Sequence, residues 1–342
     1  MNFKAIWELF QETFNEWSND KVSRLAAALS YYTIFSIAPL LIIVIAIAGA
    51  VLGEDAATGA IRTQLEGLVG QDGAGVIQTA IQNANQPKAG TIASIISIIV
   101  LIFGATGLFT ELQDALNTIW EVQPKPGRAM KNMVRQRFTS FAMVLAIGFL
   151  LLVSLVISAV LAGIVGYFRN VLPGVDFAWQ IVNFILGFTI TTVLFGLIFK
   201  VLPDVKITWN DVLIGAALTS LLFSIGRYLL GQYLGKSSFG STYGAAGSVV
   251  IILAWVYYAA QILFFGAEFT QVYARKYGSR IIPDKHAIPL TEEARLNQGL
   301  KPKNRTAQTQ IRKKSGDNTN FITRLLRRFT QHKHLKRKRS HR

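Results

Sequence analysis

Glu111, Asp114 and Asn117 follow one another at steps of three, Gln261 and Glu268 stand seven apart, and Arg227 is embedded in a further apolar run. Steps of three, four and seven put each set on one face of a helix. Carboxylates, amides and a guanidinium held among apolar residues can pass protons, ions or polar headgroups, and an ionisable group inside a membrane segment is functional by default. Tyr31, Tyr32 and Ser36 add hydroxyls close to Pro39. Together Tyr31, Tyr32, Ser36, Glu111, Asp114, Asn117, Arg227, Gln261 and Glu268 form a candidate polar pathway or cytoplasmic-side cluster. Other chemistries are excluded by composition. The chain has no cysteine, which removes disulfides, thiol nucleophiles and thiolate metal sites. Its four histidines, His286, His332, His334 and His341, follow the last apolar run with no carboxylate cluster beside them, so metal-assisted hydrolysis lacks its ligands. No catalytic residue, metal or cofactor is expected, and the reading is not that of an enzyme. No phosphate-binding Gly-x-x-x-x-Gly-Lys-Ser/Thr loop occurs, so any transport is passive, ion-coupled or powered by a partner.

These residues have to be positioned by six apolar runs: 25–52, 91–112, 138–168, 177–202, 212–234 and 247–273. Each reaches the roughly 20 residues of helix that cross a bilayer core. The predicted fold class is therefore all-α, a polytopic six-transmembrane-helix bundle. Of 35 Lys and Arg, 30 fall on one side of these runs and 4 on the other, which places both termini in the cytoplasm by the positive-inside rule. The net charge of +16 belongs to the residues after the last run, where 20 basic residues face 4 acidic ones. The domain division is an N-terminal amphipathic interfacial helix over 1–20, a six-helix domain over 21–275 and a basic, largely disordered cytoplasmic tail over 276–342.

In the first segment Phe3, Ile6, Trp7, Phe10, Phe14 and Trp17 recur at helical spacing with Glu8, Glu12 and Glu16 on another side. Such a helix lies in the headgroup region or packs on the protein's own cytoplasmic face. Pro39 predicts a kink in the first span, because it cannot donate to the carbonyl of Phe35. Residues 53–90 carry two short amphipathic patterns divided by Gly70, Gly73 and Gly75, which predicts an external helical hairpin. Gly104 and Gly107 permit close helix approach in the second span and, with Pro39, are the candidate hinges. The polar stripe after them finds its partners in Arg24 or the loop 125–137. At about 1.5 Å per residue, Arg227 lies roughly 24 Å beyond Asp211, whereas Glu268 is only about 10 Å from Arg275. The two are at different depths and do not pair. The tail ends in Arg324, Arg327, Arg328, Lys336, Arg337, Lys338 and Arg339 beside an apolar stripe, a composition that binds anionic lipid headgroups in preference to nucleic acid.

Three blocks carry a resemblance to a known family. They are Leu25-Ala-Ala-Ala-Leu-Ser-Tyr-Tyr-Thr-Ile-Phe-Ser-Ile-Ala-Pro-Leu-Leu41, Glu111-Leu-Gln-Asp-Ala-Leu-Asn-Thr-Ile-Trp120, and residues 247–275 with Leu253-Ala-Trp-Val-Tyr-Tyr and Phe265-Gly-Ala-Glu-Phe. In this order they resemble the YihY/BrkB family of bacterial inner-membrane proteins, from about residue 3 to 280. The resemblance implies a six-span protein of the bacterial cytoplasmic membrane and no agreed catalytic residue or substrate. The family's label of ribonuclease BN is disfavoured by the histidine distribution. Two functions stand. One is a transporter or flippase of an envelope lipid or amphipathic solute. The other is a non-transporting scaffold that holds envelope proteins through its polybasic tail. Membrane lipids are the expected partners, and the glycine-rich faces allow a homo-oligomer.

Overall fold

The computed structural model describes residues 2–84, 91–126, 135–150 apart from 137, 144 and 147, then 153, 157, 175–234, 239–278 and 281–302. The chain forms two units, Met1–Pro289 and Leu290–Arg342. In the first, α1 (Phe3–Asn19), α2 (Val22–Leu52), α3 (Glu54–Ala84) and α4 (Thr91–Ile119) are followed by β1 (Val122–Pro124). The helical stretch Phe138–Leu150 is α5. After it come α6 (Val175–Val201), β2 (Val205–Lys206), α7 (Trp209–Leu234), α8 (Phe239–Lys276), β3 (Ile282–Pro283) and β4 (Ala287–Pro289). Of the second unit the described part holds one short helix, α9 (Glu292–Asn297), capped by Thr291 Oγ1 accepting from the Ala294 N–H at 3.2 Å.

Among the described residues four helices are long and apolar enough to cross a membrane: Val22–Ala50, Phe184–Val201, Trp209–Leu230 and Val249–Lys276. Six such spans were expected. The run 91–112 falls within α4, and of 138–168 only α5 and two further positions are described. The four are apolar on all sides rather than amphipathic, and large side chains such as Phe35, Phe184, Ile185, Leu221, Ile225, Leu229 and Val250 stand exposed along them. Water does not tolerate an apolar surface this extensive, so it is the face a bilayer covers.

One end of the bundle gathers the N-terminus of α2 and the C-termini of α4, α6 and α8. Its core is formed by Leu116, Ile119, Trp120, Phe199, Leu202, Val212 and Phe264, all buried. Two antiparallel ladders close that end, β1 with β4 (Gln123 opposite Ile288) and β2 with β3 (Val205 opposite Pro283). The fold is mostly helical, as expected of an all-α protein, with these two short strand pairs added, and the segment after the last span carries β3 and β4. Two extended pieces of it pair with the loops after α4 and α6, whose backbone groups would otherwise lack partners. The tail from residue 303, including all seven basic residues proposed for lipid binding, lies outside the described residues.

The hairpin over 53–90 is only partly as read. Residues 54–84 are all helical, Gly70, Gly73 and Gly75 included, with no extended linker between the two halves. Yet Glu54, Thr58, Arg62, Gln78 and Gln82 line one cavity of about 460 Å³ against Ile42–Ala50 of α2. In a straight helix Glu54 and Gln82 would be about 42 Å apart, so the second half folds back on the first. Ile61 and Ile77, one from each half, are buried in one cluster with Leu41, Val44 and Ile252. That packing outweighs the weak helix propensity of the glycines, each costing about 1 kcal/mol relative to alanine. Gly53, at φ +88°, supplies the left-handed turn from α2 into α3.

Helix α1 docks one face on α8. Leu9 is buried with Phe269 and Val272 of α8, and Phe10 lies 5.5 Å from the Phe269 ring. Ile6, Trp7 and Phe14 face outward from the same helix. Glu12 pairs with Arg275 and Lys276, and Glu16 reaches Arg275 at 3.3 Å. Partial burial pushes the Glu12 carboxyl up, but the hydrogen bonds and charges of Lys276 and Arg275 prevail and hold it below its ordinary 4.5. A carboxylate depressed in the folded state contributes stability above its unfolded value and loses it as pH falls through the folded one. Docking of α1 is expected to be constant from neutral pH down to about 5 and to weaken below about 4, by roughly 0.5 kcal/mol for an exposed pair. Proteolysis of the α1–α2 turn across pH, wild type against Glu12→Gln, measures it; identical profiles would remove the pairing from the account.

Candidate functional site

The two candidate hinges of the second span meet the one in the first. A Cβ placed on Gly104 would sit 2.9 Å from Pro39 Cγ, and one on Gly107 would sit 3.2 Å from Ser36 Oγ. Helices α2 and α4 therefore cross where Pro39 and Ser36 press onto bare backbone. Ser36 is buried there. Tyr31 and Tyr32 turn the other way. Both are exposed, with Tyr31 5.0 Å from the Phe35 ring and edge-on to Tyr32 at 5.7 Å, an aromatic group on the outer surface of α2.

The stripe at the end of α4 is drawn together by residues that sequence reasoning did not name. Asn117 donates from Nδ2 to Asp204 Oδ2 at 3.2 Å and accepts the Asp204 N–H on Oδ1 at 2.8 Å. Arg135 Nη2 donates to Asp204 Oδ1 at 2.5 Å and stands 3.6 Å from Asp284 Oδ2. The Asp284 N–H donates to the Asp204 carbonyl at 2.9 Å. Gln136 Nε2 donates to Asp114 Oδ1 at 2.8 Å. The predicted loop 125–137 is thus a partner of the stripe, through Arg135 and Gln136. Asp204 was missed because it lies in a three-residue loop with no periodic signal. The space left among Gln113, Asn117, Arg135, Asp204 and His286 is about 20 Å³, enough for one water-sized group and too little for a substrate. Gln113, 3 % exposed, lends that space an amide oxygen with no hydrogen-bond donor. This arrangement ties four chain segments together at one end of the bundle.

A second polar set lies along α8. Glu268 is 1 % exposed, and Gln271, which the sequence reading passed over, is 4 % exposed with its amide oxygen unbonded. Gln261 is half-buried, its amide oxygen likewise without a donor. The three recur at helical steps on one stripe. Spacing from Glu268 was the available signal for Gln271. Arg227 is elsewhere. It is exposed on the outward side of α7 and borders a groove of about 510 Å³ between α6 and α7. The depth separation expected between Arg227 and Glu268 holds, and the structure does not bring them into one site.

The α7–α8 seam was not anticipated. A Cβ on Gly215 would fall 1.7 Å from Thr270 Oγ1, one on Gly266 would fall 1.8 Å from Thr219 Oγ1, and one on Gly226 would fall 2.6 Å from the Tyr258 ring. Thr219 and Thr270 return their hydroxyls to the carbonyls of Gly215 and Gly266 of their own helices, at 2.7 and 2.6 Å. Their methyl and hydroxyl groups can then press onto the glycine of the facing helix without an unsatisfied donor.

Apolar helices with outward apolar faces, buried polar side chains within them and glycine-mediated seams define an integral membrane protein with a helical bundle. Residues 13–289 match the family described as Virulence factor BrkB, and the chain belongs to that family, the YihY/BrkB family. The matched segment ends at Pro289, where the first structural unit also ends. The chain is similar to a UPF0761 membrane protein of Aggregatibacter aphrophilus, with 26 % identity over 82 % of this chain and 96 % of the relative. It is also similar to one of Alcanivorax borkumensis, with 24 % identity over 84 % of this chain, although it spans only 65 % of that relative's length. A third, from Glaesserella parasuis, is 27 % identical over 61 % of this chain and 70 % of its own. No solved structure matches.

Proposed function

We propose that the protein crosses the bacterial cytoplasmic membrane six times, with both termini in the cytoplasm, and transports or flips an envelope lipid or amphipathic solute. The carrying observation is the buried polar stripe of α8. Glu268 is buried inside an apolar bundle, and on the same stripe the amide oxygens of Gln261 and Gln271 lack a donor, each at a cost of about 1–3 kcal/mol. Leucine or methionine would fill the same volume without that cost, and polar groups kept in a membrane interior mark a route for polar cargo or protons. The α2–α3 cavity supports the reading, since Arg62, Gln78 and Gln82 line it together with Ile42, Ile45 and Ile61, around a space the size of a small amphipathic molecule.

Reconstituted vesicles test the proposal. Transfer of a labelled lipid or solute is expected to be faster with the wild type than in protein-free vesicles, and to fall about tenfold in the double variant Glu268→Gln, Gln271→Leu, a change of roughly 1.4 kcal/mol. Wild-type rates in that variant, with its thermal stability unchanged, would dismiss the pathway. The alternative, a non-transporting scaffold working through the tail, draws on the 14 Lys and Arg against 1 acidic residue from position 303 onward. Truncation after Pro302 separates the two functions and leaves β3, β4 and Asp284 in place. Loss of cellular function with transfer intact would favour the scaffold.

A further inference from the structure

The groove between α6 and α7 has a chemistry of its own. Its walls are Phe184, Phe188, Leu221 and Ile225, and Arg227 stands at its rim with Tyr228 next to it. Two aliphatic hydroxyls line it as well, but Thr191 donates to the Gly187 carbonyl at 2.8 Å and Ser224 to the Ser220 carbonyl at 2.8 Å. They offer a ligand no free donor. The guanidinium of Arg227 makes no ion pair or hydrogen bond among the described residues, and it is exposed.

Depth decides what can answer it. Arg227 lies about 27 Å along α7 from Trp209, and Phe184 lies about 26 Å along α6 from Val201, so both stand close to the far limit of a hydrocarbon core roughly 30 Å thick. Thr191 and Leu221 lie about 10 Å nearer the bilayer middle. The groove therefore starts at headgroup level with a cation and runs inward over aromatic and aliphatic walls. We infer that it is a binding site for one anionic phospholipid of the leaflet at the α3 end. The phosphodiester is held by Arg227, whose planar donors match two phosphate oxygens, and the upper acyl chain lies along Phe184, Phe188 and Leu221. A lipid whose headgroup carries its own ammonium satisfies its phosphate internally and competes poorly. The inference requires α6 and α7 to lie in the bilayer. It does not require that the protein move anything.

The test uses the full chain in phosphatidylcholine vesicles doped with a phosphatidylglycerol bearing a photoactivatable group near the top of one acyl chain, with crosslinked peptides located by mass spectrometry. Labelling is expected on residues 184–191 and 221–228, competed by unlabelled phosphatidylglycerol and not by phosphatidylcholine. Arg227→Ala should cut it about tenfold, the loss of a charge-assisted contact, while labelling on tail peptides is unchanged. Gly187→Leu provides a second arm, because a Cβ there meets nothing within 4 Å, so the side chain fills the groove without displacing the fold. It should abolish labelling with Arg227 intact. Labelling that is uniform over all lipid-facing helices, or that survives both substitutions, would overturn the site.

Discussion

Gly215→Ala is expected to destabilise the bundle by about 1–3 kcal/mol, and Gly266→Ala by a similar amount, against the roughly 1 kcal/mol that replacing glycine by alanine ordinarily gains in a helix. The new Cβ at 215 would meet Thr270 Oγ1 at 1.7 Å and Thr270 Cβ at 2.8 Å. The hydroxyl can rotate away, but the Cβ is fixed to the backbone, so α7 and α8 have to separate. Separation unpacks Val212 and Phe264, both fully buried at that end. Thermal unfolding in detergent measures the loss. Thr270→Gly in the Gly215→Ala background removes the opposing carbon and should restore most of it, less the roughly 1 kcal/mol that a helical glycine costs. A Gly215→Ala protein within about 0.5 kcal/mol of wild type would mean that the helices do not meet there.

Asp204→Ala carries the second large expectation, a loss of about 2–3 kcal/mol together with faster hydrogen exchange in β2 and β3. One carboxylate accepts from both Asn117 and Arg135, and its removal leaves an amide of a 4 %-exposed residue and a guanidinium without their acceptor. Stranding a buried partner costs more than the net worth of the pair. Arg135 keeps about a third of its side chain in solvent, which screens its share. Asp204→Asn therefore separates charge from shape, with an expected loss near 1 kcal/mol and the strands still protected. Equal exchange rates in Asp204→Ala and wild type would show that the ladders close this end without the carboxylate.

Neither Gly215 nor Asp204 was foretold by the residue order, whereas the crossing of α2 and α4 was foretold in part. Gly104 and Gly107 announced themselves as sites of close approach, and Pro39 as an irregularity, each from its own covalent chemistry. That Pro39 faces Gly104 follows from the crossing of α2 and α4 alone. Asp204 and Asn117 are 87 positions apart, and no local pattern connects them. The fold-back of α3 was foreshadowed by its glycines, yet the helical state of the whole segment depends on burial against α2 and α8. The polar, proline-containing stretch after α8 has the composition of a loose tail, and it acquires strands because the loops beside it present unpaired backbone.

Membrane class and the approximate limits of the apolar helices are properties of composition summed over about 20 consecutive residues, and they were available before any contact was known, as was the family resemblance carried by three ordered sequence blocks. Which side of each helix looks inward was not. A helix that is apolar all round has no preferred face of its own, so its rotation is set by the partners it packs against. That rotation turned Tyr31, Tyr32 and Arg227 toward the lipid, Glu268 and Gln271 toward the interior, and Gly215 onto Thr270. The separation of a polar interior from a lipid-facing groove is accordingly a product of helix packing, because only neighbouring helices distinguish two apolar faces from each other.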